Sequence, residues 1–148
     1  MKREIRYQAA IIKDNHILLI RHQECATGRS YWLLPGGGRE PDETEEACVQ
    51  REAQEETGLE VSVERLLLDE EDIPFEMYYR RLKTYLCRVI NGDPQPGHDP
   101  EVESAQQHSI AEVRWFGLGA SVQWDDSITD DALICPLLQR IRAVLGHL

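Results

Sequence analysis

Three glutamates, Glu52, Glu55 and Glu56, recur at i, i+3 and i+4 in a segment free of proline and glycine from Asp42 to Thr57. On a helix advancing about 100° per residue they span about 100° of one face, with Val49 and Ala53 beside them. Carboxylates so placed repel one another, and burial raises the cost. A divalent cation removes that repulsion. Mg2+ is a hard ion, usually held by a few carboxylates together with substrate phosphates. Three glycines, Gly36 to Gly38, precede the segment. Small residues let the backbone pass close to an ion and its ligand, and a carbonyl there is a further candidate donor. Against this stands the plain alternative of a solvated acidic face, the commoner fate of an E-x-x-E-E pattern on its own.

The element carrying these side chains is predicted as a helix over 43–57. Asp42 or Thr44 caps it, and Glu43, Glu45 and Glu46 stand in a first turn where the helix dipole favours negative charge. Gly58 is a suitable residue to end it in the left-handed conformation. Its apolar residues are only Ala47, Cys48, Val49 and Ala53. A helix held by burial alone would present a wider apolar stripe.

Elements around it follow from pattern and punctuation. Residues 4–12 and "HILLIRH" read as a hairpin turning at Asp14-Asn15. "YWLLP" is a short apolar run stopped by Pro35 and the glycines. "LEVSVERLLLD", "MYYRRLKTYLCRVI" and "EVRWFGL" read as strands. Residues 130–145 read as a C-terminal helix, with Leu133, Leu137, Leu138, Ile141, Val144 and Leu145 on one face and Asp130 or Asp131 as cap; Pro136 lies in its first turn or kinks it. Segment 91–100, dense in breakers, is the expected mobile loop. The mixture predicts an α+β fold with a mixed sheet, organised as a single domain over 1–148.

The chain has 148 residues, 41% hydrophobic and 29% charged, with a net charge of −11. A chain of this size buries about 68–70% of its unfolded surface and needs no staples. The acidic balance argues against long nucleic acid and anionic membranes, which require a basic face. It leaves room for a small phosphorylated ligand bridged by a cation. Cys25, Cys48, Cys87 and Cys135 are dispersed, with no C-x-x-C pair, which speaks against a zinc cage or a disulfide framework. No signal-like or membrane-spanning run is evident, so a cytoplasmic protein is expected.

The stretch from Gly37 to Leu59 resembles the Nudix box. That signature is glycine, five residues, glutamate, seven residues, arginine-glutamate, an aliphatic residue, any residue, two glutamates, any residue, glycine and an aliphatic residue. Gly37, Glu43, Arg51, Glu52, Ala53, Glu55, Glu56, Gly58 and Leu59 occupy those places. Ala53 is the soft match, a larger aliphatic being commoner. "WLLPGG" and "EVRWF" also resemble the family.

The resemblance implies a Nudix (MutT-like) hydrolase with an α/β/α sandwich, a mixed sheet and a loop–helix–loop box. It implies cleavage of a nucleoside diphosphate linked to another moiety, with Mg2+ or Mn2+. Carried over, Glu52, Glu55 and Glu56 bind the metal and the carbonyl of Gly36 or Gly37 assists. Glu43 and Arg51 form a structural ion pair. Glu52 is the first candidate for general base. Glu101 or Glu103 is the second, and Glu103 is also a candidate metal ligand; the plain reading of both is an exposed acidic loop. Metal ions neutralise the diphosphate and lower the pKa of water, while one carboxylate takes a proton.

Substrate features are weaker. Arg21 and Arg29 could clamp a phosphate, and Glu40 could meet a ribose or an outer phosphate; surface solubility is the competing role for each. Tyr7, Tyr31, Trp32, Phe75, Tyr78 and Tyr79 could stack on a base, although strand aromatics are mostly core. Pro74 lies at about the offset that marks ADP-ribose hydrolases of the family, and Tyr78 lies near that of a tyrosine in dinucleoside polyphosphate hydrolases. The short chain is similar to nucleoside triphosphate hydrolases. The expected partner is therefore a small nucleotide, with a homodimer left open. The alternative from another class is a non-catalytic nucleotide-binding or sensing module on the same scaffold. Hydrolysis of messenger RNA caps is disfavoured by the absence of a basic tract.

Overall fold

The computed structural model describes residues 5–24, 26–71, 79–97 and 108–146. Its elements are β1 (Ile5–Lys13), β2 (His16–Glu24), β3 (Ser30–Leu33), β4 (Gly36–Gly37), α1 (Glu45–Thr57), β5 (Glu60–Glu71), β6 (Arg81–Asn91), β7 (His108–Gly117), α2 (Asp126–Thr129) and α3 (Ile134–Val144). The strands order as β3-β2-β1-β6-β5, with β4 on β1 and β7 on β2. β1 and β6 run parallel, with Tyr7 opposite Lys83; the other pairs are antiparallel. The sheet is therefore mixed.

Alternation along β1 builds two cores. Tyr7, Ala9 and Ile11 pack against Cys48, Val49 and Ala53 of α1. Ala10 points the other way, into a cluster with Ile134, Leu137, Leu138 and Ile141 of α3. A strand buried on both faces reads as an almost continuous apolar run, as residues 9–12 do. α1 and α3 thus cover opposite faces, giving the α+β, α/β/α arrangement expected.

The turn Asp14-Asn15 has φ of 50° and 60° at its two residues. Two left-handed residues match the right-handed twist of the flanking strands, and Asp and Asn tolerate that region. α3 differs in detail from expectation. It starts at Ile134, Asp131 Oδ1 accepts the N–H groups of Leu133 and Ile134, and Pro136 sits in the first turn without a break. Ile134 joins its buried face, while Val144 is exposed and Leu145, next to it, packs against the core. β6 begins at Arg81, later than the apolar run suggested. Of segment 91–100, the described part is tied to α1 by backbone hydrogen bonds rather than loose. Among the described residues, no helix is long and apolar enough to cross a membrane. Cys48, Cys87 and Cys135 are free thiols.

Candidate active site

α1 begins at Glu45, two residues later than the predicted run 43–57. Thr44 is the cap: its backbone is extended and its hydroxyl accepts the N–H of Ala47 at 3.0 Å. Glu43 therefore lies before the helix rather than in its first turn. Glu45 and Glu46 take the dipole-favoured positions. At the other end Gly58 adopts φ 76° and its N–H reaches the carbonyl of Gln54, closing the helix in the left-handed conformation that glycine favours.

Between those ends the carboxylates divide by depth. Glu52 and Glu56 are completely buried, while Glu55 and Glu43 keep 24% and 16% of their side-chain surface. Burial of an ionised carboxylate is costly unless it is paired, hydrogen-bonded or bound to a metal. Glu56 Oε1 accepts the N–H of Gly36 at 2.7 Å. That bond is available because the glycine bend lies directly on β1: a Cβ at Gly36 would stand 2.5 Å from the carbonyl oxygen of Tyr7 and 2.7 Å from Gln8 Cβ. Two further contacts set the bend. Arg6 Nη2 donates to the carbonyl of Leu34 at 2.8 Å, and Ala9 N–H to that of Pro35 at 2.8 Å.

Arg51 is the cation among these acids. Its Nε and Nη2 hold Glu43 at 3.0 and 2.7 Å, and Nη2 also reaches the carbonyl of Gly38 at 3.2 Å. Its Nη1 bridges Glu52 Oε1 at 3.1 Å and Glu55 Oε1 at 3.2 Å. The hydrogen bond from Arg51 holds Glu43 below the usual carboxylate range. In return Glu43, above all, keeps the guanidinium more firmly protonated than an ordinary arginine. Cys48, beside this group, is pushed up to about 12 by burial first and then by the charge of Glu52. It is an inert thiol.

The sequence predicts a structural Glu43–Arg51 ion pair and the convergence of the three helix carboxylates on a cation. Among the described residues, no three His, Cys, Asp or Glu side chains stand where one ion could be held by all of them. The reason is visible in the same contacts. One edge of Arg51 braces the loop, and the other edge occupies the Glu52–Glu55 pair.

The remaining candidates are dispersed. Arg21 pairs with Glu112 at 3.1 Å across β2 and β7. Arg29 is exposed and lies over the Tyr31 ring at 5.7 Å. Glu40 is exposed, and its backbone N–H donates to Glu43 Oε1 at 2.9 Å. Tyr7 and Trp32 are core residues, and Tyr31 stacks on His22. Glu101 and Glu103 lie outside the described residues, as do Cys25, Pro74, Phe75 and Tyr78. No spacing or motif points to Lys83 and Tyr85. Both hold Glu45: Lys83 Nζ donates at 2.9 Å, and the Tyr85 hydroxyl also donates to it. Burial pushes Glu45 up, but these two hydrogen bonds outweigh it and the carboxyl ends below its usual range.

The NUDIX domain family profile matches residues 4–132. The chain belongs to the Nudix hydrolase family. It is 34% identical to the human 8-oxo-dGDP phosphatase NUDT18 over 64% of its length. It is 33% identical to the mRNA-decapping enzyme subunit 2 of Arabidopsis thaliana over 60%. The chain spans only 28% and 22% of those two proteins, respectively. A Nudix hydrolase structure from Nitrosomonas europaea superposes with a TM-score of 0.71 at 22% identity, covering 96% of this chain and 90% of that one. The Nudix fold thus accounts for the mixed sheet and the loop–helix–loop around Arg51.

Proposed function

We propose that this Nudix protein is a divalent-metal-dependent hydrolase of a small nucleotide in which a nucleoside diphosphate is joined to another group, such as a nucleoside triphosphate or an ADP-ribose-like molecule. One observation carries the reading. Arg51 is shared among three carboxylates, the fully buried Glu52 and the partly buried Glu43 and Glu55, and the fully buried Glu56 lies one helical turn beyond Glu52, accepting from Gly36 N–H. Buried carboxylates gathered on one helix in this way form an all-oxygen donor set suited to a hard cation.

With Arg51 Nη1 drawn away from Glu52 and Glu55, these two and Glu56 would hold Mg2+ or Mn2+, with a carbonyl of Gly36 or Gly37 as a further donor. Such an ion supplies charge neutralisation on the diphosphate oxygens and acidifies water. The protein's own part is proton transfer and placement. Water attacks one phosphorus, the anhydride P–O bond breaks, and the water's proton passes to a carboxylate. Glu52 is the first candidate for that base, Glu101 or Glu103 the second. Glu43 and Arg51 keep the loop against the helix. Arg29, exposed, is a candidate phosphate clamp; Arg21 would first have to leave Glu112. Glu40 is a candidate for a ribose or outer phosphate. The acidic net charge favours a small substrate over long RNA. A cytoplasmic location and a single domain over 1–148 belong to the same proposal.

The test is a nucleotide panel with millimolar Mg2+, scored for phosphate, pyrophosphate and nucleoside monophosphate. Turnover of at least one member is expected, lost with EDTA and in Glu55→Gln. No cleavage across the panel would overturn the proposal, and a tight, uncleaved nucleotide complex would favour the sensing module instead.

A further inference from the structure

The α1 end that carries Glu55 and Glu56 leaves backbone carbonyls without partners inside the helix, as every helix end does. A distant segment supplies two of the missing donors. Gln95 N–H reaches the carbonyl of Thr57 at 2.9 Å, and Gly97 N–H reaches that of Glu56 at 3.0 Å. The local sequence is Asp93-Pro94-Gln95-Pro96-Gly97. In an extended chain successive N–H groups point to opposite sides. Pro94 and Pro96 have none to offer, so the donors fall on one side only, and the prolines hold φ near the extended value. The stretch reads as a stiff strap with its donors aimed at α1.

Residue 97 must also be glycine. A Cβ there would lie 1.9 Å from the carbonyl oxygen of Glu55 and 2.9 Å from its carbonyl carbon. Both atoms are backbone and belong to the helix, so the helix end or the strap would have to move. Gly58 receives the strap as well: its Cα faces the Gln95 side chain, with Cγ at 3.2 Å from where a Cβ would be.

We propose that the strap 93–97 positions Glu55 and Glu56, with Gly97 as the positioning residue. Here the strap, rather than the helix alone, sets where the last turn of α1 presents its carboxylates. The inference rests on the metal-dependent reading above and names what holds two of its side chains in place.

The test measures Mn2+ affinity by the spectrum of the free ion, in the absence of nucleotide, for the whole chain and its Gly97→Ala variant. A loss of affinity of about tenfold or more is expected, with circular dichroism unchanged. Turnover of the best panel substrate should lose kcat by a similar factor while KM stays within about twofold, a split that general loosening would not give. Gln95→Pro removes the other donor and sets its Cδ against the carbonyl of Thr57, and should shift both quantities in the same direction. Gly119→Ala, where a Cβ meets nothing closer than 3.5 Å, should change neither. Wild-type affinity and kcat in folded Gly97→Ala would overturn the strap. Should Gly97→Ala fail to fold, Gln95→Pro decides by the same two measurements. A wild-type chain that binds Mn2+ alongside unaffected variants sinks this inference alone; a wild-type chain with no Mn2+ affinity sinks it together with the functional reading.

Discussion

Arg51 Nη1 stands 3.1 Å from an oxygen of Glu52, a carboxylate with no exposed surface, and the same nitrogen also serves Glu55. Removing the guanidinium would leave a buried charge beside a like charge, the situation in which losing one partner is most costly. Arg51→Met is therefore expected to lower stability by about 3 kcal/mol in metal-free urea unfolding. Millimolar Mg2+ should narrow the gap, because a cation would serve the carboxylates that Arg51 no longer reaches. An unchanged gap with and without Mg2+ would contradict the idea that ion and guanidinium compete for the same oxygens.

The brace on the other edge of Arg51 has a pH signature. Its hydrogen bond holds Glu43 below the ordinary range, whereas in the unfolded chain the group titrates near about 4.3. A depressed folded value adds stability that is fully present above the unfolded value and is lost as pH falls through the folded one. Wild type and Glu43→Gln should differ at pH 6 in urea midpoint and converge below pH ~4. A constant difference down to strong acid would show that Glu43 contributes packing and not charge.

The helix, its left-handed glycine end and the Asp14-Asn15 turn were legible because each is set by neighbours within a few residues. So was the box, whose positions form a fixed local pattern. What escaped depends on distance. The parallel pairing of β1 with β6 joins residues more than seventy apart, such as Tyr7 and Lys83. Hydrophobic pattern does not encode that register. Of the two caps the pattern offered, Asp42 and Thr44, one hydrogen bond selects Thr44 and so leaves Glu43 before the helix. The breakers at 92–97 announced a loop, but not that two of its N–H groups close α1. Arg51's second edge was equally invisible, since spacing names neighbours without saying which nitrogen reaches which oxygen.

Gly36 offers a test of the bend that is independent of charge. Its Cα lies against Tyr7 and Gln8 so closely that a methyl group would overlap backbone. Gly36→Ala should cost about 1–3 kcal/mol, the range for forcing an extra carbon into a packed place. It should also withdraw the N–H from Glu56, so Mn2+ affinity should fall with stability. A stable variant with unaltered affinity would mean that β4 can shift on β1 without consequence for the site.

Glu56 separates fold from function most cleanly. Its Oε1 accepts from Gly36 N–H at 2.7 Å, and the amide oxygen of Glu56→Gln can do the same. The substitution removes a buried negative charge from an acid-rich group, so the metal-free variant should be at least as stable as wild type. With Mg2+ at about one hundred times its dissociation constant, wild type should gain about 2.7 kcal/mol. The variant should lose most of that gain, and its turnover should fall by at least about 100-fold, as when one preorganised electrostatic contact is removed. Thermal or urea unfolding with and without Mg2+ checks the first part, and the nucleotide panel the second. A variant that keeps the full Mg2+ gain would place the ion elsewhere, and one that loses stability without metal would make Glu56 a structural residue first.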